Sequence, residues 1–242
     1  MKNSKLYPIL NILFFILSLF INFKSVTGGL GGKSIRELSD KYANLFTPSN
    51  QTFAIWSLIY FLLSVSLLVQ FDKKRQSEIL NGPIFILSCI LNGAWIVAWQ
   101  LEYISLSLLI MIGLLLALAY INKSIMLENK WLTKLTFGIY LGWICIATIA
   151  NATALLQSFS IDLPMNYQQG ITLTIILVGA GIVAGVMHKL KNPFLSIAAA
   201  WAFYGIFNKQ IDSYPSIAYI AVICSALITV IGIKITISLI KN

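Results

Sequence analysis

The chain has 242 residues, of which 58% are hydrophobic and 10% charged, and a mean hydropathy of +0.85. A soluble domain of that composition would lack the polar surface it needs to face water, so the chain is expected to be an all-α polytopic membrane protein. The formal charge of +9 comes from basic residues that cluster beside apolar runs. Anionic lipid headgroups account for such a pattern, and no nucleic-acid partner is expected.

The first apolar run covers residues 6–23. Lys2 and Lys5 precede it as they would in a secretory signal, but the run is longer than a signal's apolar core. Ser25, Val26, Thr27 and Gly28 also make a poor cleavage site, so the run is read as a retained span. An external loop over residues 24–51 follows, beginning with Gly28, Gly29, Gly31 and Gly32. Ser34 and Glu37 then resemble a capping box that opens a short helix through Asn44, with Ile35, Leu38, Tyr42 and Leu45 on one face. Such a helix either lies on the bilayer surface or covers the mouth of a cavity. Pro48 breaks the chain before the second span, residues 52–71.

Further spans are expected at 82–100, 103–122, 133–157, 168–187, 193–208 and 215–240, giving about eight transmembrane helices for a hydrocarbon core about 30 Å thick. The third and fourth meet in a tight hairpin at Gln100, Leu101 and Glu102, and the seventh is short and begins at Pro193. With the N-terminus in the cytoplasm, that side holds Lys2, Lys5, Lys73, Lys74, Arg75, Lys123, Lys130, Lys134, Lys189, Lys191 and Lys241. The opposite side holds Lys24, Lys33, Arg36, Lys41 and Lys209. The positive-inside rule therefore puts both termini in the cytoplasm, and the lysine, asparagine and isoleucine usage points to a bacterial cytoplasmic membrane.

Catalytic chemistry has little to work with. Glu102, Asp162 and Asp212 fall at the external edge and Asp72 and Glu78 at the cytoplasmic one, with no visible carboxylate pair and no nucleophile beside a base. Cys89, Cys145 and Cys224 lie in different spans without metal-ligand spacing, and His188 stands at a helix end among lysines. No catalytic residue, metal site or resident cofactor is expected. Lys234, the one charged side chain well inside a span, is expected to snorkel toward the cytoplasmic end.

Two constellations carry more. Asn92, Trp95 and Trp99 share a face of one helix, and Trp143, Ala147 and Asn151 share a face of another, because positions three, four, seven and eight apart line up along an α-helix. An amide in hydrocarbon must find a partner, either across to another helix, worth about 0.6 to 2 kcal/mol, or in a ligand. Trp131 and Tyr103, close to span ends, are expected in the interfacial aromatic belt, as Trp99 is on one reading. Gly181 and Gly185, with Ala180 and Ala184, form a small-residue face suited to close helix contact, within the chain or between copies. Trp201, Tyr204 and Asn208 offer material for a second polar cavity.

Three stretches in this order resemble the tryptophan-rich sensory protein family, also called translocator proteins: Pro48–Tyr60 (PSNQTFAIWSLIY), Leu91–Trp99 (LNGAWIVAW) and Tyr140–Asn151 (YLGWICIATIAN). The chain departs from the family pattern at Gln51, where an aromatic is usual, in the spacing of Phe53 and Trp56, and at Ile139, where a proline is usual. The resemblance covers roughly residues 6–157. It implies an enlarged member, with a five-helix ligand-binding bundle over 1–157, its external loop at 24–51, and three additional helices over 158–242.

It further implies a membrane receptor or sensor for a hydrophobic planar ligand, a tetrapyrrole such as protoporphyrin IX, often working as a homodimer among membrane lipids. Trp56, Asn92, Trp143 and Ala147 match pocket positions of the family, and Tyr60, Trp95, Tyr140 and Asn151 shape the same cavity on this reading. Trp rings suit such a ligand as flat apolar walls, while an amide or indole N–H fixes its orientation. Transport of a lipophilic or tetrapyrrole-like solute is the alternative. Breakdown of a bound porphyrin near the tryptophans is a third possibility.

Overall fold

The fold is given by a computed structural model, which describes residues 6–27, 30–33, 35–42, 44–72, 80, 82–159 and 163–241. Ser34, Gly28, Gly29 and the basic residues Lys2, Lys5, Lys73, Lys74 and Arg75 lie outside the described residues. Every regular element among those described is helical: α1 (Leu6–Val26), α2 (Ile35–Lys41), a 3-10 turn (Asn50–Ala54) leading into α3 (Ile55–Val69), α4 (Ile84–Gln100), α5 (Ile104–Ser124), α6 (Trp131–Ser158), α7 (Met165–Leu190), α8 (Leu195–Gln210) and α9 (Pro215–Lys241). Helices satisfy their own backbone groups, which hydrocarbon requires of any spanning segment. The chain is a polytopic membrane helix bundle with a helix at each of the eight expected spans.

Six of these, α1, the 3-10 turn with α3, α5, α6, α7 and α9, are long and apolar enough to cross a membrane. The two shorter helices are α4, with 17 residues, and α8, with 16. At about 1.5 Å per residue α8 is several ångströms short of a core about 30 Å thick.

The chain divides into two compact units, one of Met1–Lys41 with Ser57–Phe137, the other of Tyr42–Trp56 with Gly138–Asn242. In the first, α1 packs on α4 and α4 on α5. The contact face of α1 follows from its spacing: Pro8, Asn11, Phe15, Ser18, Asn22 and Ser25 recur every three or four residues, and all but the half-buried Asn22 are buried. Leu6, Ile9, Leu13, Ile16 and Phe20 point the other way and stay exposed, as lipid-facing side chains do. The α4–α5 hairpin is closed by Glu102, which takes the left-handed conformation at φ 62°. Its N–H donates to the Trp99 carbonyl at 3.0 Å and that of Tyr103 to the Ala98 carbonyl at 2.9 Å, a Schellman turn with glutamate where glycine is usual. The Glu102 carboxylate then takes two lysines of the preceding loop, Lys33 at 3.1 Å and Lys41.

In the second unit α8 packs on α9, and α7 on both. Close approach comes from glycines. A Cβ at Gly138 would lie 2.8 Å from Phe194 Cβ, one at Gly142 would lie 2.9 Å from Leu195 Cα, and one at Gly232 would run into Ser196. Gly181 and Gly185, the pair expected to make close contact, are exposed, and a Cβ at either would meet nothing within 4 Å. The within-chain contact belongs to Gly138 and Gly142 instead.

Candidate functional site

The second unit gathers four aromatic rings. The 3-10 turn and the first turn of α3 supply Phe53 and Trp56, three residues apart, and α6 supplies Tyr140 and Trp143 with the same spacing. Trp56 meets Trp143 edge to face, with centroids 6.2 Å apart and planes at 81°. Trp56 and Tyr140 meet at 5.9 Å and 72°, and Phe53 and Trp143 at 5.9 Å and 82°. The positive ring edge on the negative ring face stabilises each such pair by about 0.5–1.5 kcal/mol beyond burial. Tyr140 and Trp143 are buried, while Phe53 and Trp56 keep part of their surface open. The Trp143 indole N–H is buried and has no hydrogen-bond partner among the described residues. Ala147, half-buried, and Asn151, buried, continue the same face of α6 one and two turns on.

The segment that carries Phe53 and Trp56 is fixed by local and distant bonds. Asn44 Oδ1 accepts from the Phe46 N–H at 3.0 Å, and the hydroxyls of Ser49 and Thr52 share a bond at 3.1 Å. Helix α8 holds the segment at three points: Gln210 Nε2 donates to the Leu45 carbonyl at 2.9 Å, the Ser49 N–H to the Gly205 carbonyl at 3.0 Å, and Trp201 Nε1 to the Thr52 carbonyl at 2.9 Å. Gly205 permits the approach, since a Cβ there would lie 2.8 Å from Thr52 Cγ2.

The first unit holds a polar group. Asn92 Oδ1 accepts from Ser18 Oγ at 3.0 Å and from the Tyr60 hydroxyl at 3.2 Å, and Asn22 Nδ2 donates to the Tyr60 oxygen. Asn92 Nδ2 is buried with no hydrogen-bond partner among the described residues. Toward one end of α1, Asn11 Nδ2 donates to Gln70 Oε1 at 3.1 Å and to the Leu80 carbonyl at 2.8 Å. Toward the other, Gln100 Nε2 donates to the Ser25 carbonyl at 3.1 Å. Trp95 and Trp99 are buried on α4.

Of the residues expected at the site, the structure thus brings Trp56, Tyr140 and Trp143 together in one unit, with Ala147 and Asn151 along the same helix. It brings Tyr60 and Asn92 together in the other, where Trp95 lies one turn from Asn92. Phe53, Ser18 and Asn22 join these groups without having been singled out. Ser18 and Asn22 carried a signal in their spacing with Asn11 and Ser25. Trp131 and Tyr103 are exposed at helix ends, as belt residues are, whereas Trp99 is interior. Trp201, Tyr204 and Asn208 are exposed and line no inward polar face, and the Trp201 N–H is used on Thr52.

A model of the TSPO-like protein family matches residues 8–234. The chain belongs to the TSPO-like protein family. The match runs through α7 and α8 and into the last turns of α9, so the C-terminal helices of this TSPO-like chain fall within it as well as the motif-bearing ones. Comparison with curated proteins and with solved structures found no match.

Proposed function

We propose that this TSPO-like protein is a membrane receptor or sensor that holds a hydrophobic planar ligand, a tetrapyrrole such as protoporphyrin IX, on the rings of Phe53, Trp56, Tyr140 and Trp143. The observation that carries the reading is the buried, unpartnered indole N–H of Trp143 among those rings. Leaving such a donor unsatisfied costs about 1–3 kcal/mol, which an acceptor on a bound ligand recovers. Flat rings at right angles offer both a face to stack on and an edge to stop against. Ala147 follows Trp143 by one turn on the same face of α6, and Asn151 adds an amide two turns away.

On this reading the ligand-contacting residues all fall within 1–157, and residues 158–242 support them. Tyr60, Asn92 and Trp95 make a polar and aromatic group of their own in the first unit. Both termini face the cytoplasm of a bacterial cell, two copies pair, and the protein needs no resident cofactor.

The test is a titration of the purified protein in detergent with protoporphyrin IX, followed by tryptophan fluorescence. Saturable quenching at one site per chain is expected. Its absence contradicts the reading. Membership of the TSPO-like family also suits transport of a lipophilic or tetrapyrrole-like solute, which is the second reading. Ligand-dependent flux across proteoliposomes, beyond that of empty vesicles, would establish it.

A further inference from the structure

We infer that Trp201 and Gly205 of α8 are positioning residues for the aromatic group, so that the shortest C-terminal helix sets the angle at which Phe53 and Trp56 meet Trp143. The inference rests on the proposed ligand reading for its functional consequence, and on geometry alone for the positioning itself.

Three hydrogen bonds spaced over Leu45, Ser49 and Thr52 tie the segment to successive turns of α8, through Gln210, the Gly205 carbonyl and Trp201. The last falls on Thr52, immediately before Phe53 and four residues before Trp56. A 3-10 turn has poorer internal hydrogen-bond geometry than an α-helix, so an outside donor on its carbonyl has more influence on its path. Ser49, at the cap position of this turn, makes no side-chain bond to the turn's N–H groups. Its own N–H goes to α8.

The contact is also sterically tight. Thr52 is buried, and its side chain fills the space in which any Cβ at Gly205 would stand. Thr52 cannot shift without moving the rings that follow it. Trp201 is 39% exposed, which a belt residue would be too, but its N–H is aimed at a carbonyl of the chain and not at the headgroup layer.

The experiment uses the full chain labelled with 5-fluorotryptophan, the 19F resonances of Trp56, Trp143 and Trp131 being assigned from Trp→Phe variants. In ligand-free protein, Trp201→Phe and Gly205→Ala are expected to move the Trp56 and Trp143 resonances and leave that of Trp131 in place. Trp201→His, which keeps an N–H donor, restores them in part, as does Thr52→Ala added to Gly205→Ala.

Protoporphyrin IX affinity is expected to fall roughly five- to tenfold in Trp201→Phe, the size of one misplaced hydrogen bond, with the thermal midpoint little changed. Unmoved Trp56 and Trp143 resonances in both variants overturn the inference. Moved resonances in a protein whose wild type binds no porphyrin uphold the positioning and overturn the ligand reading. If Gly205→Ala fails to fold, Trp201→Phe decides alone.

Discussion

Ser18 on α1 donates its hydroxyl to Oδ1 of Asn92 on α4 at 3.0 Å, 74 residues away in the chain. Tyr60 shares the same acceptor from α3. Interhelical bonds of this kind stabilise membrane bundles by about 0.6 kcal/mol on average and up to about 1.7. Ser18→Ala is expected to lie in that range. Asn92→Leu should cost more, about 1–3 kcal/mol, because it removes an acceptor that the Ser18 and Tyr60 hydroxyls share. Thermal unfolding in detergent measures both, and an Asn92→Leu variant as stable as wild type would contradict the account of α1 packing.

Gly142 on α6 faces the backbone of Leu195, and Gly181 on α7 faces open space. Gly142→Val is therefore expected to destabilise by about 1–3 kcal/mol or more through forced displacement of the start of α8. Gly181→Ala and Gly185→Ala should be neutral or stabilising by up to about 1 kcal/mol, from helix propensity alone. The reverse order in detergent melts would mean that the small-residue face on α7 makes the tighter contact.

Lys191 ends α7 in the left-handed region at φ 47°, with the N–H of Asn192 bonded to the Met187 carbonyl at 3.2 Å. A non-glycine residue there costs roughly 1–2 kcal/mol, so Lys191→Gly should stabilise by about 1 kcal/mol. Glu102 has the same backbone but holds Lys33 and Lys41. These pairs are partly exposed, and such pairs contribute only about 0–1 kcal/mol, so Glu102→Gly should come out near neutral. Equal gains from both substitutions would mean that the lysine pairs contribute nothing.

Much of the fold was legible because hydrocarbon imposes one rule on the sequence: long apolar runs become helices. The expected span 82–100 became Ile84–Gln100 and 215–240 became Pro215–Lys241, and even the hairpin at Glu102 stood where a charge interrupts two apolar runs. The contact among Trp56, Tyr140 and Trp143 was legible for a related reason, since these residues of the candidate site lie in recognisable motifs on helices.

What the sequence hid was long-range. Asn11, Ser18, Asn22 and Ser25 keep a three-and-four spacing, but the surrounding apolar run obscures their small polar side chains. The partners Asn92, Gln70 and Gln100 come from α4 and the end of α3. Trp201 suggests material for a second polar cavity in sequence, but its N–H goes to Thr52, 149 residues earlier. Glycine pairs all look alike in sequence, and only the neighbouring backbone separates Gly138 and Gly142 from Gly181 and Gly185.

The orientation with both termini in the cytoplasm is expected to appear in reporter fusions. A C-terminal alkaline phosphatase should be inactive and a C-terminal green fluorescent protein bright. Active phosphatase would invert the assignment, and with it the side from which a ligand reaches the aromatic group.

On the proposed reading a planar ligand lies against the rings of Trp56 and Trp143. The most direct measurement is protoporphyrin IX affinity in Trp56→Ala and Trp143→Ala beside wild type, with helical content and thermal midpoint checked on each preparation. Saturable binding by wild type is expected, with affinity lost by tenfold or more, about 1.4 kcal/mol, in both variants while they stay folded. Unchanged affinity in both folded variants would contradict that reading.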